Sequence, residues 1–212
     1  MGILNFVKPD KIVLQKATEF EAIFEFRPLE PGYGVTIGNS LRRVLLNSLE
    51  SYAIIGINIA GADHEFATLK GITEDVTEII LNLKQVRIKK KVEHEVNVEK
   101  VTLSIKNKTE FTAGMIAEAS PTFEIMNPEL LICTMDSSAK LDIEITIGKG
   151  RGYVPAEENK EKNSHFGYIP VDAIYTPIKN VKYAIENTRV EQRTDFDKLI
   201  MEVDTDGTIH PE

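Results

Sequence analysis

The sequence has no tryptophan, a single cysteine in 212 residues, four histidines and no basic excess. Each shortage excludes something. One cysteine, Cys133 in the apolar run LLICTM, rules out a disulfide framework and any cysteine-built zinc cage. It fits a reducing, cytoplasmic setting and reads as a small core residue, not a nucleophile. His64, His94, His165 and His210 are far apart, and none has a partner at metal-binding spacing. No metal and no cofactor are expected. Net charge is −8, with acids and bases interspersed, whereas a free-standing nucleic-acid binder shows a basic excess. No apolar run approaches the roughly 20 residues that cross a bilayer. The opening MGILNFVKPDK lacks the basic start and apolar stretch of a secretory signal, and Phe6 breaks the myristoylation pattern after Gly2. There is no internal repeat and no low-complexity tract.

What is present suits an α+β fold. Hydrophobic residues make up 42% of the chain, enough for a full core. FEAIFEF (20–26) alternates with strand period, and Pro28 and Pro31 end it. A helix is expected over 38–50 and a strand over 54–60. TEDVTEIILNLK (73–84) predicts a second helix. Thr73 is its expected cap, and Val76, Ile79, Ile80 and Leu83 share one face. Strands are expected at 85–89, 96–98, 101–106, 123–125, 130–135 and 141–147, then at 181–190 and 198–204. Leu141, Ile143, Ile145 and Ile147 point inward, and GKGRG (148–152) is expected to break that strand. EENKEKNSH (157–165) reads as a mobile polar loop. Strands at both ends flank a strand-rich middle, so an economical arrangement is two subdomains, the middle one inserted into the first.

PGYGVTIGNSLRRVLL (31–46) is the most informative stretch. Plotted at 3.6 residues per turn, Leu41, Val44, Leu45, Leu49 and Tyr52 form one stripe that Leu46 widens. The apolar arc is roughly 200°, against about 100° for an ordinary surface helix. Such a helix covers its own core and also meets something else. Arg42 falls inside the arc; Arg43 falls on the polar face with Asn47 and Glu50. Arginine offers a planar five-donor fork and is enriched at protein–protein hot spots.

Other motifs carry less. GYGVTIG (32–38) fits neither a Walker loop nor a dinucleotide fingerprint. It reads as a tight turn with Gly38 and Asn39 at a helix start. GKGRGYVP (148–155) reads as an open or partner-docking loop, though its amides suit an anion. Lys89, Lys90 and Lys91 read as a solvated strand edge. Glu191, Arg193, Asp195, Asp197 and Lys198 crowd VEQRTDFDKL. Paired carboxylates can do acid/base work, but in a strand-loop-strand setting an ion-pair network is the commoner outcome. An enzyme built on the glycine turn and these carboxylates, and a nucleic-acid module using Lys89–Lys91 and Arg151, rank below a scaffold.

Four segments in order, PLEPGYGVTIGNSLRRVLLNSL (28–49), DHEFATLKGITEDVTEIILNLK (63–84), GRGYVPA (150–156) and VEQRTDFDKLIMEVDTDGTIHPE (190–212), closely resemble the amino-terminal assembly domain of the bacterial RNA polymerase alpha subunit. The resemblance implies a sheet-plus-helices dimerisation subdomain made from both chain ends (1–50 and 173–212) and a strand-rich inserted subdomain (51–172). It implies a non-catalytic cytoplasmic subunit that forms a homodimer and scaffolds the beta and beta-prime subunits for transcription. By motif position, Arg43, Leu46 and Lys84 are expected to meet beta. Leu41, Leu45 and Leu49 are expected to serve the helix core and dimer. Arg151, Tyr153, Arg193 and Asp195 are expected to face the large subunits. The family continues past 211–212 with a further helix, a linker and a DNA- and activator-binding domain. Direct DNA binding is therefore not expected of these residues.

Overall fold

The computed structural model describes residues 9, 11–160 and 167–212. The N-terminal reading, and residues 161–165 of the polar stretch with His165, lie outside the described residues. In chain order the elements are β1 (Lys11–Ala17), β2 (Glu21–Leu29), α1 (Tyr33–Asn47), β3 (Glu50–Ile59), α2 (Val76–Leu83), β4 (Ile88–Lys90), β5 (Val98–Lys106) and β6 (Glu110–Thr112). There follow α3 (Gly114–Ala119), β7 (Phe123–Ile125), β8 (Leu131–Thr134), β9 (Lys140–Arg151), β10 (Tyr153–Val154), β11 (Tyr168–Pro170), β12 (Ala173–Ile174), β13 (Ile178–Val190) and β14 (Arg193–Thr205). This is the α+β class expected, with antiparallel strand pairing. The chain divides into two compact units: Met1–Leu49 with Thr176–Glu212, and Glu50–Tyr175.

The first unit is a four-stranded sheet in the order β1-β2-β14-β13, with α1 packed over β13 and β14. Its fully buried core is small: Leu29, Ile178, Val181, Leu199, Met201 and Val203. Alternation explains β14, where Leu199, Met201 and Val203 point one way. α1 departs from the expected 38–50. It begins at Tyr33, and only Gly32, its cap, has a left-handed backbone (φ 86°). Gly34 and Gly38 lie inside the helix, one turn apart, and both are buried. A Cβ on Gly38 would stand 2.7 Å from Tyr183 Cδ2 and 2.9 Å from Leu199 Cδ1. The glycines therefore serve close approach of helix to sheet, which outweighs their helix penalty of about 1 kcal/mol each. The helix ends at Asn47; Glu50 and Tyr52, plotted on its faces, belong to β3.

The second unit is built on a sheet in the order β5-β9-β3-β4-β7, with β11 added against β3. Leu141, Ile143, Ile145 and Ile147 of β9 are buried as expected. β9 does not break at Gly148 but runs to Arg151. Ile55 and the Tyr175 ring occupy the space that side chains at Gly148 and Gly150 would fill. β4 lies between β3 and β7, so Lys89 is not on an edge; it stands opposite Glu124. In α2, Val76, Ile79 and Leu83 are fully buried. Its cap is Asp75, not Thr73. Asp75 accepts from Glu78 N at 2.7 Å, and the Glu78 carboxylate accepts from Asp75 N at 3.3 Å. That reciprocal pair is a capping box.

Candidate functional site

Helix α1 packs Ile37, Leu41, Leu45 and Leu46 against the core of its sheet, but each is only part-buried. Gly34 and Gly38 are its only fully buried residues. Ile37, Leu41, Leu45 and Leu46 are half-buried, and Tyr33, Val35 and Val44 are exposed, Val44 by 51%. Polar bonds fix it as well. The four leading amides of a helix lack internal acceptors. Here Asp197 of β14 takes two of them: its Oδ2 accepts from Gly32 N at 2.9 Å and Gly34 N at 3.0 Å, while Glu30 O accepts from Tyr33 N at 3.0 Å. Arg42 Nε donates to Val181 O on β13 at 3.1 Å. Arg42, placed in the apolar arc, thus binds a backbone carbonyl and remains exposed.

Beside the helix lies an apolar groove of about 400 Å³. It is lined by Leu41, Val44, Leu45 and Leu49 together with Phe24, Phe26, Met201, Ile12 and Ile209. The structure brings Leu41, Leu45 and Leu49 together, as the stripe requires. Leu46 points elsewhere in the first unit; it is half-buried, and its carbonyl accepts from Thr176 Oγ1 at 3.2 Å. On the polar side of α1, Arg43 lines a shallow hollow with Asn39, Ser40, Asn47 and Ser48. Arg43 is exposed and has no hydrogen-bond or ion-pair partner among the described residues.

The crowded carboxylates of 191–197 separate in the fold. Asp195 pairs with Arg193 at 2.7 Å, both more than half exposed. That bond holds the Asp195 carboxyl below the usual carboxylate range and raises Arg193. The Arg193 guanidinium also stacks 4.8 Å from the Phe196 ring centroid. Lys198 bonds Glu186 across the hairpin at 2.5 Å. Asp197 turns to the helix. No two of these carboxylates share a site.

In the second unit, Lys84 caps α2 and its Nζ lies 2.6 Å from Asp172 Oδ2, each side chain about a quarter exposed. Arg151 is exposed and sits opposite Glu50 in the β9–β3 ladder. Tyr153 is 60% exposed and pairs with Ile174, itself 43% exposed. Sequence reasoning missed Phe66, 74% exposed, and Leu81, 52% exposed. It also missed Asp172 and the role of Asp197. A glycine standing where a capping side chain is usual was the one signal for Asp197. Burial pushes the Cys133 thiol up to about 12, with Glu74 adding to it, so it is no nucleophile. Among the described residues no three His, Cys, Asp or Glu gather as a metal site. No helix of the described residues is long and apolar enough to cross a membrane.

The first unit thus carries an apolar groove beside a helix and an exposed arginine, and among the described residues no metal-ligand cluster. The chain belongs to the family described as the RNA polymerase Rpb3/RpoA insert domain, whose model matches residues 57–176. It is similar over all its length to the DNA-directed RNA polymerase subunit alpha of Cytophaga hutchinsonii, with 62% identity over 212 residues. The corresponding subunits of Flavobacterium psychrophilum and Bacteroides fragilis are 57% and 58% identical over 211 residues. The chain spans 64% of the length of each of these relatives.

Proposed function

We propose that this chain is the assembly module of a bacterial RNA polymerase alpha subunit, a cytoplasmic scaffold without chemistry of its own. Its discontinuous sheet-and-helix unit, in the expected division 1–50 with 173–212, is the dimerisation part. The strand-rich insertion, 51–172, carries further contacts. One observation supports this reading above others: α1 fully buries only two glycines, and its part-buried Leu41 and Leu45 also line an apolar groove. A second copy applied about a two-fold axis would bury that face against its own equivalent. The polymerase beta and beta-prime subunits then dock on the pair, and the large subunits hold the catalytic site. Arg43, exposed and with no partner among the described residues, is the hot-spot residue for beta, with Leu46 and Lys84 as further contacts. Arg151, Tyr153, Arg193 and Asp195 face the large subunits.

The test is co-purification with beta. Arg43→Ala should keep its fold, because exposed substitutions shift stability within about 0.5 kcal/mol. Capture of beta should fall by about tenfold or more, the loss of a hot-spot arginine. Unchanged capture by the folded variant would refute the role given to Arg43.

A further inference from the structure

We infer that Asp197 is a positioning residue for assembly: by holding the Gly32 and Gly34 amides it sets the pose in which α1 presents Arg43 and its leucine face. The inference rests on the scaffold reading above and adds a residue to it. One carboxylate oxygen binds amides two residues apart, at 2.9 and 3.0 Å. Two bonds to one atom fix both the axial position and the roll of the first turn. The contact is built for that approach: a Cβ on Gly34 would stand 3.0 Å from the same oxygen and 3.2 Å from Asp197 Cβ. Glycine at 34 is thus what lets the carboxylate come this close. No flanking side chain caps the helix; Glu30 O accepts only from Tyr33 N, at 3.0 Å, and Asp197 supplies from the sheet the acceptor for the amides on either side.

The apolar contacts alone hold the pose loosely, because no leucine of α1 is fully buried. Arg43 lies nine residues beyond Gly34, or roughly 13 Å at 1.5 Å per residue. Pivoting the helix start by about 5° moves Arg43 by about 1 Å, more than a preorganised contact tolerates. The second anchor, Arg42 on Val181 O, resists sliding but lies beside Arg43 and cannot correct the first turn.

The experiment uses the full-length protein as wild type, Asp197→Asn, Asp197→Ala and Arg43→Ala. Two quantities are read: hydrogen exchange of the peptide holding residues 30–36, and beta captured per alpha. Asparagine keeps an acceptor oxygen but loses the charge that strengthens such bonds about twofold. Protection and capture should fall together, about threefold in Asp197→Asn and about tenfold or more in Asp197→Ala. The β13–β14 amides should keep their protection. If Asp197→Ala does not fold, Asp197→Asn decides. Capture that stays at the wild-type level while exchange quickens would overturn the inference, as would exchange that does not quicken. Should those results come with reduced capture by Arg43→Ala, the scaffold reading survives and only this inference fails. A wild-type chain that captures no beta would sink both.

Discussion

Replacing Val44 by glutamate should abolish self-association without unfolding the chain. Val44 lines the groove and is 51% exposed. Full burial of a valine is worth about 2 kcal/mol, so the half still exposed contributes about 1 kcal/mol when a second copy covers it. A carboxylate enclosed there without a partner costs at least about 2 kcal/mol more. A two-fold contact contains the residue twice, which brings the total to about 6 kcal/mol. If water still reaches the position the cost halves, so the floor is about 3 kcal/mol, or roughly two orders of magnitude in Kd. The free chain should keep its stability within about 0.5 kcal/mol, because the glutamate points into solvent there. Sedimentation equilibrium across a wide concentration range measures the Kd, and urea unfolding of the dilute chain measures the control. A folded Val44→Glu chain with the wild-type Kd would refute the argument that this groove is the copy-to-copy face.

Gly38→Ala should destabilise the first unit by about 1–3 kcal/mol despite alanine's better helix propensity, because its methyl meets the Tyr183 ring and the buried Leu199. A lowered urea midpoint checks this; a raised one would show that helix and sheet are not in close approach. Stability should fall in base. Burial raises Tyr52 and Tyr175 above 10.0 and Cys133 from 9.0 to about 12. Each is held neutral in the fold, so the unfolded chain loses its proton first. Their contribution is complete below about pH 9 and is lost as pH rises towards 12. Denaturant melts should be flat in this respect from pH 6 to 8 and steepen above about pH 9; the thiol should resist alkylation until the chain unfolds.

Periodicity made most of the second unit legible. β9 and α2 repeat at two and 3.6 residues, and their buried sets follow from the letters alone. Elements with short or glycine-interrupted patterns did not show. α3 has six residues and one fully buried side chain, Ile116, too few for a period. β1 exposes Ile12, Val13 and Leu14 together, so it has no clean alternation. Glycine misled twice for one reason. In α1 and β9 it marks a place where a neighbour's side chain needs the space, and sequence shows the gap but not the occupant. For the site, the leucine stripe and the open Arg43 were readable from helical geometry. Asp197 was not, because its partners lie more than 160 positions away in the chain. Asp172 was missed for a similar cause, since Lys84 meets it 88 residues on.

The solution mass of the unmodified protein at micromolar concentration bears most directly on the scaffold. A two-copy mass is expected alone, and a larger complex, two copies with one beta, when that subunit is added. A one-copy mass that persists at high concentration, in a chain that still binds beta, would contradict it.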